Sequence, residues 1–532
     1  ALVIHFLHAY ANPAHELRAA EIASELWPND FITMGHGLLS ETREFERGVT
    51  AAVNASVQPL LERYVARLRD ELASKGYPGD VLVMNGNGGM VSSRLVAREA
   101  AKTVMSGPAS GVMAAAYTGR RVGEENLLTY DMGGTSTDVA LIRGGYPSVS
   151  SEIEVEYAMP IHVPMVDVRT VGAGGGSIAR VNAAGLLEVG PESAGAQPGP
   201  ICYGRGGSEP TISDASLILG RLNPAQLAKT GAIAPDAVAR VFAARLGDPL
   251  GLDVTAAAEA VIRIANTKMA GAIRMVSLSL GADPRDFALF AFGGAGPLHA
   301  AALARELGLP RVLVPARPGI TNAIGCVVAD LRHDFVRTLN TPLDALPKGA
   351  LAEVFATQAA EGDRLIDRET IALSGRRYLY SVDMQFIGQT HLLRVDLPGP
   401  SVDNATLHAL FEAAYFNRFR VRLADIRANL VNANCSVIGA RAPLDLSTLI
   451  DPSGRRATLD EAEIGRRPVY FNGDWQDVAI YWRDHLPLAF QMPGPAVIEQ
   501  MDTTTLIEPG DVATGDAHGN IIIHIGGLCH DA

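Results

Sequence analysis

The stretch Leu127-Leu128-Thr129-Tyr130-Asp131-Met132-Gly133-Gly134-Thr135-Ser136-Thr137-Asp138-Val139-Ala140-Leu141-Ile142 decides how this chain is read. Two apolar runs of strand length flank a short connection made of an acid, two glycines, three hydroxyl residues and a second acid. That pattern predicts a β-hairpin with a polar tip. Gly133 and Gly134 let backbone N–H groups approach a phosphate without an intervening Cβ, and they permit positive φ where a turn needs it. Thr135, Ser136 and Thr137 add hydroxyl donors. Asp131 and Asp138 are suited to hold Mg2+, directly or through water, which offsets phosphate charge. An ordinary Asp/Gly turn would account for Asp131 to Gly134 alone. Both acids and three hydroxyls between two strands point instead to phosphate binding.

The other glycine loops exclude commoner nucleotide and hydrolase motifs. No G-x-x-x-x-G-K-[ST] occurs, so the chain has no Walker P-loop. Gly172-Ala173-Gly174-Gly175-Gly176-Ser177 ends on serine where a dinucleotide fingerprint requires glycine. Gly107-Pro108-Ala109-Ser110-Gly111 misplaces its serine for a nucleophile elbow.

Working outward, the chain reads as α/β with a β-richer end. Helices are predicted over His15–Leu26, Glu44–Lys75 and Thr255–Leu280 from their apolar spacing. A strand over Phe287–Phe292 meets a glycine turn, Gly293 to Gly296. Residues 171–210 are rich in Gly and Pro and poor in periodicity, and loops of that length in a compact domain are usually functional. The chain opens at Ala1 on an apolar run to Leu7, which reads as a strand cut from its sheet and suggests an upstream segment elsewhere. The 532 residues would make roughly three to four domains at ~150 residues each.

Composition limits the partners. With 45 Lys+Arg against 58 Asp+Glu the net charge is −13, and no dense basic run exists, so nucleic acid is not an expected partner. Cys202, Cys326, Cys435 and Cys529 are scattered without a C-x-x-C pair, which argues against a disulfide scaffold or zinc knuckle. No apolar run reaches the ~18 residues of a membrane span and no signal peptide is visible, so the expectation is a cytoplasmic protein with no membrane partner.

The order of elements resembles the actin, sugar-kinase and heat-shock-chaperone ATPases, whose lobes are ribonuclease H-like. A small-residue helix such as Gly107–Tyr117 precedes the acidic hairpin. Ala291-Phe292-Gly293-Gly294-Ala295-Gly296 then matches the turn that receives adenosine, and Thr321–Ala329 looks like a second connecting helix. Within that superfamily the chain resembles the hydantoinase/oxoprolinase family. The resemblance rests on His8-Ala9-Tyr10-Ala11-Asn12-Pro13 with His15-Glu16, on Glu44-Phe45-Glu46-Arg47, and on Asn87-Gly88-Gly89. It continues through Asp131–Asp138, Val171–Ser177, Gly199–Gly204, Phe292–Ala300, Pro318–Gly325 and Gly388-Gln389.

That resemblance implies an ATP-binding subunit of hydantoinase A type that works beside a metal-containing hydantoinase B-type subunit. Relatives open hydantoins, 5-oxoproline or lactams by ATP-dependent hydrolysis through a phosphorylated intermediate, and related enzymes carboxylate ketones such as acetone. A non-catalytic nucleotide-binding assembly subunit is a third reading. The implied cofactors are ATP and Mg2+. Asp131 and Asp138 would be the catalytic and metal-binding groups. Gly133, Gly134, Thr135, Ser136, Thr137, Gly174 and Gly175 would grip phosphate, and Gly293, Gly294 and Gly296 would lie against adenosine. The implied domains are 1–118, the remainder of a first lobe with its connecting helix; 119–343, the second lobe; 344–466, a C-terminal α/β region; and 467–532, a β-rich region. Family members also carry an N-terminal D-x-G-G-T-x-T-D loop as the opposite jaw around phosphate. No second copy occurs here, so a separate chain is a candidate source of it.

Several single residues read two ways. His299 is a nucleotide contact or a helix-start cap. Asp167 and Arg169 face a bound substrate or phosphate, or Arg169 is simply held in a salt bridge. Cys202 is a nucleophile only with a base nearby, and otherwise packs. Asp214 is a metal or water ligand, or a helix cap. His5 and His8 are expected on opposite faces of a strand, His333-Asp334 as a surface or interface pair, and Glu44 to Arg47 as a solvated helix face or a contact between lobes.

Overall fold

The computed structural model describes residues 1–155, 159–227, 233–369, 371–423 and 426–528; Cys529 lies outside them. Two compact units arise, each assembled from three separated segments. The first comprises residues 1–110, 149–166 and 326–443, and the second 111–148, 167–325 and 444–532. Two of the changeovers fall inside helices, Ser106–Val122 and Thr321–Val328.

In the first unit a six-stranded sheet runs in the order Leu393–Leu397, Gly375–Phe386, Ala428–Ala440, Leu331–Pro342, Met90–Ser92, Leu82–Met84. Helices Ala350–Ile366 and Asn404–Phe419 cover part of it, inserting Leu351, Phe355, Leu407 and Phe411 against Val382, Met384 and Phe386. His333 and Asp334 are on a central strand, not on a surface. Burial alone would raise the Asp334 carboxyl, but Arg332, Ser436 and Asn87 outweigh it and hold the group below its ordinary range. Asn87 Nδ2 donates to it at 2.7 Å and Arg332 Nε at 2.9 Å.

The strand predicted over Ala1–Leu7 is shorter, Leu2–Ile4, paired in parallel with Ile32–Met34. His5 and His8 therefore lie beyond it, and strand alternation does not govern them. His5 sits instead between Glu16 and Glu44, at 4.0 and 3.9 Å. Helix Glu44–Ser74 begins with the motif read as a solvated face or a contact between lobes; Arg47 within it is wholly buried, so the solvated reading fails for that residue. Its guanidinium donates to Glu41 O at 2.6 Å and Phe6 O at 3.1 Å and pairs with Glu44. Three segments thus share one buried cation, because loop carbonyls that no strand serves still need donors.

The second unit carries a nine-stranded sheet. Its main path is Val168–Val171, Thr137–Arg143, Leu127–Met132, Ala288–Phe292, Arg311–Val314, Ile521–His524, Val512–Gly515, Gln491–Pro493, with Tyr146–Pro147 on Thr137–Arg143. Ala288–Phe292 pairs in parallel with Leu127–Met132 and with Arg311–Val314, and is buried along its whole length. That is why its sequence shows no polar alternation. Helix Val254–Ser279, capped by Asp253 on Ala256 N at 2.8 Å, buries Val261, Ile262, Met269 and Ile273 in the same core as Leu128, Tyr130 and Met132. Residues 171–210 contain a hairpin, Ser177–Val181 with Leu187–Ser193, that their composition concealed.

Strand pairing distributes the four sequence-defined stretches differently from their order along the chain. Residues 344–443 extend the sheet that also contains Leu82–Met84, and the last strands extend the sheet of the acidic hairpin. No helix among the described residues is long and apolar enough to cross a membrane.

Truncating Arg47 to Ala should destabilise the protein by about 3 kcal/mol, because the carbonyls of Glu41 and Phe6 and the Glu44 carboxylate lose their shared donor. Urea titration with a core-sensitive fluorescence signal measures this; a change within 0.5 kcal/mol, about the noise of a surface substitution, would refute a structural role.

Candidate nucleotide site

The strands Leu127–Met132 and Thr137–Arg143 pair so that Asp131 and Asp138 are direct cross-strand partners. Gly133 N donates to Ser136 O at 3.1 Å and closes the tip. Asp131 Oδ2 accepts from Asn322 Nδ2 at 3.1 Å, and Asp138 Oδ1 accepts from Thr170 Oγ1 at 2.5 Å. Burial pushes the Asp131 carboxyl up to about 6, and the Asp138 charge adds to the push. Burial raises Asp138 as well. Two carboxylates are held near one another with too few donors.

Gly133 and Gly134 do not adopt positive φ, contrary to one reason for expecting them. A Cβ on Gly134 would meet nothing within 4 Å, and one on Gly133 only Ser136 O at 3.9 Å. The chain itself has no steric need of glycine there. What these glycines preserve is access to the exposed tip at Gly134 and Thr135.

The second glycine loop has the opposite character. Gly174, Gly175 and Gly176 are buried. A Cβ on Gly174 would lie 2.6 Å from Thr135 N and C. Gly175 N donates to Gly133 O at 3.0 Å and Gly176 N to Gly134 O at 2.6 Å. Gly174 and Gly175, expected to contact phosphate, are the backing of the hairpin tip. Thr137 is placed similarly: it is buried, and its hydroxyl donates to Ala173 O at 2.6 Å, so its proton is committed within the fold. Thr135 and Ser136 keep their places at the tip.

The turn after Ala288–Phe292 reaches the same place. Gly293 has φ +80°, and a Cβ there would collide with Asp131 Oδ1 and Met132 O. Gly293 N donates to Pro318 O and Ala295 N to Met132 O, both at 3.0 Å. Gly294 is exposed, whereas Gly296 is buried at the start of helix Gly296–Leu307, against the backbone of Leu127–Met132 and not on an open face.

Four further positions escaped the sequence reading. A hairpin, Ala496–Glu499 with Thr504–Ile507, brings its tip to this turn, and Thr503 Oγ1 donates to Gly294 O at 3.0 Å. Gln500 Oε1 and Asp502 Oδ1 on that tip, and Asn322 Oδ1, are buried acceptors without a donor. Asn322 was present in a quoted motif; Gln500 and Asp502 lie some 200 residues from the turn they serve and carry no local signal.

These features fit Mg-ATP. The tip is open and two under-neutralised carboxylates adjoin it. No group of three or more His, Cys, Asp or Glu able to hold a metal occurs among the described residues. Mg2+ commonly takes one or two carboxylates and completes its shell with water and phosphate.

The remaining candidates have partners within the fold. His299 is fully buried, with Nδ1 2.8 Å from Asn266 Oδ1, and burial lowers its pKa to about 3, so it is neutral. Asp214 forms a capping box with Thr211 and accepts from Cys202 N at 2.7 Å and Ile201 N at 3.3 Å. Burial, with Asp214 adjacent, drives the Cys202 thiol far up, which removes it as a nucleophile. Arg169 pairs with Asp167 at 3.2 Å on the surface.

Two family models match the chain: hydantoinase/oxoprolinase over residues 47–335, and the hydantoinase/oxoprolinase C-terminal domain over 354–525. The chain belongs to the hydantoinase/oxoprolinase family. It is 35% identical over 522 residues to the caprolactamase alpha subunit of Pseudomonas jessenii, covering 96% of this chain and 74% of that one. The crystal structure of the ATP-dependent caprolactamase from that organism superposes with a TM-score of 0.86 at 32% identity, covering 99% and 77%. The acetone carboxylase beta subunit of Xanthobacter autotrophicus is 30% identical over 97% of this chain and 74% of its own. A nucleotide-free acetone carboxylase structure gives 0.74 at 27% identity, over 98% and 76%. Against 5-oxoprolinase 1 of Arabidopsis thaliana the identity is 30%, over 98% of this chain but 42% of that protein. The mixed α/β fold is shared with both solved relatives.

Asp131→Asn should stabilise the ligand-free protein at pH 8. The wild-type carboxyl has a folded pKa near 6 against 3.8 unfolded, so its cost is full above pH 6 and vanishes as pH falls toward 3.8. Thermal melts at pH 8 and pH 4.5 should show the advantage at the higher pH and its decline at the lower. Equal melting at both would contradict the strained-carboxylate reading.

Proposed function

We propose that this chain is the ATP-binding subunit of an ATP-dependent hydrolase that opens cyclic amides such as hydantoins, 5-oxoproline or lactams. The observation that carries the reading is the acidic hairpin tip, open at Gly134 and Thr135, with Asp131 directly against the Gly293 turn. The likeness to caprolactamase over nearly the whole chain favours a cyclic amide over the ketone of the carboxylase relatives.

Asp131 and Asp138 would hold Mg2+, with Asn322 fixing Asp131 Oδ2 and Thr170 fixing Asp138 Oδ1. When bound, Mg-ATP would supply charge neutralisation and a phosphoryl group able to make the oxygen of a poorly electrophilic amide carbonyl a leaving group. The chain's own part is positioning: Gly134, Thr135 and Ser136 receive phosphate, and the Gly294 face with Gln500 and Asp502 receives the nucleoside. By analogy with relatives named as subunits, a second subunit of hydantoinase B type would complete the enzyme. The expected compartment is the cytoplasm.

Contrasting glycine variants test the site. Gly134→Ala should leave the melting temperature within about 2 °C, because nothing opposes its Cβ, yet weaken Mg-ATP at least tenfold. Gly174→Ala should lower stability by about 1–3 kcal/mol through its clash with Thr135. Calorimetry with Mg-ATP and thermal melts measure both, and equal ATP affinity in Gly134→Ala would refute phosphate binding at the tip. The reaction is tested by ADP release from the protein with its co-purified partner. Stimulation by a lactam, hydantoin or 5-oxoproline supports the proposal. Stimulation only by a ketone with bicarbonate, or by none of them, overturns it.

A further inference from the structure

The residues of the candidate nucleotide site belong to the second unit, and the first unit carries a surface patch with no part in it. Helix Asn404–Phe419 runs out into Phe416-Asn417-Arg418-Phe419-Arg420-Val421-Arg422, where arginines alternate with apolar residues. Arg418 to Arg422 are all exposed. The loop 387–392 lies alongside. Tyr415 Oη donates to Gln389 Oε1 at 3.3 Å, and the His391 ring is 6.1 Å from that of Phe419. This loop adds the exposed side chains of Ile387 and Leu392, on either side of the Gly388-Gln389 motif that the nucleotide site leaves unexplained.

The three guanidinium groups rest on rings and not on carboxylates. Arg418 lies 5.7 Å from the centre of the Phe419 ring, and Arg422 and Arg420 lie 5.0 and 6.0 Å from that of Phe416. None of the three forms an ion pair among the described residues. The acids around them are engaged elsewhere: Glu412 is 3.7 Å from His408, Asp344 pairs with Arg427, and Asp383 and Asp396 act on Arg394. Asp425 lies outside the described residues, and its single charge could match only one of the three arginines. A ring face orients a guanidinium while leaving the N–H groups at its edge free. At least two exposed, oriented cations therefore stand unmatched beside exposed Phe419, Val421 and Leu392, in a chain whose net charge is −13.

We propose that this patch docks an acidic, partly apolar face of the companion hydantoinase B-type subunit. The inference rests on the reading of this chain as one subunit of an enzyme. Arginine and aromatic side chains together are the groups that carry binding energy at protein interfaces. Carboxylates opposite Arg418, Arg420 and Arg422 would accept paired N–H groups, and the apolar side chains between them would be covered. Charge complementarity selects an acidic partner. It also disfavours a second copy of this chain docked patch to patch, because a twofold axis there would set arginine against arginine.

The test is the affinity of the full chain for the co-expressed hydantoinase B-type subunit, measured by sedimentation at low ionic strength. Arg418→Glu combined with Arg422→Glu should raise Kd at least tenfold. Arg420 is left in place because it ends the helix at φ +58°, where a substitution would add a backbone effect. The same change of charge at Arg180 and Arg285, exposed in the second unit, should leave Kd within twofold. Melting curves check that each variant is folded; should the double variant fail, Arg418→Glu alone should raise Kd at least threefold. A wild-type chain that forms no complex would overturn the subunit reading and this inference with it. A complex left intact by the folded patch variant would overturn the inference alone, and so would equal weakening by the control pair. Self-association of the wild-type chain that the patch variant abolishes, or tighter binding to a single-stranded oligonucleotide or anionic vesicles than to the subunit, would also overturn it.

Discussion

The contact on which the candidate site depends is backbone against backbone. The N–H groups of Gly175 and Gly176 donate to the carbonyls of Gly133 and Gly134, and no side chain fits between the two loops. The contact orients the tip, because the carbonyls are drawn inward and Gly134 and Thr135 remain on the open side. It is itself supported from behind. Ser213 N and Oγ both donate to Gly175 O, at 2.8 and 2.9 Å, and Ser213 opens the helix Ile212–Ile218, whose capping box pins the turn at Cys202. A run of hydrogen bonds therefore extends from a buried cysteine turn to the hairpin tip without touching any ligand.

The electrostatics have the reverse tendency. Asp131 and Asp138 face one another across two strands, each partly dried by the fold and each given one side-chain donor. A pair arranged for stability alone would have a basic neighbour, as Asp334 has in Arg332. The contrast between the two residues is instructive: Asp334 is neutralised by a resident arginine, whereas Asp131 is left raised. A site that must accept a cation gains from that deficit, since a resident arginine would have to be displaced first.

Much of this was legible in the sequence, and the failures have physical causes. The acidic hairpin, the strand before Gly293 and helices such as Val254–Ser279 were legible because local pattern and burial agree there. The roles within the glycine loops were not. Gly174 and Gly134 look alike as letters, and only the presence or absence of an opposing backbone distinguishes a buttress from an opening. Arg47 misled because a charged helix start is usually solvated, while here three carbonyl- or carboxylate-bearing residues converge on it. Gln500 and Asp502 were invisible because their meaning comes from pairing far along the chain.

That distant pairing explains why the C-terminal residues belong to this unit. Ile521–His524 pairs with Arg311–Val314, and that strand leads directly to Pro318, whose carbonyl accepts from Gly293 N. The same region carries the hairpin whose tip puts Thr503 on Gly294. The Gly293 turn is thus held on three sides, by Asp131, by Pro318 and by Thr503, each from a different part of the sequence. Such a turn cannot shift alone: moving Gly293 disturbs the Asp131 carboxylate on one side and the unpaired acceptors of residues 500–502 on the other. Coupling of the proposed metal-binding end to the proposed nucleoside end would follow from the steric demand at Gly293, where positive φ and close neighbours leave no room for any side chain.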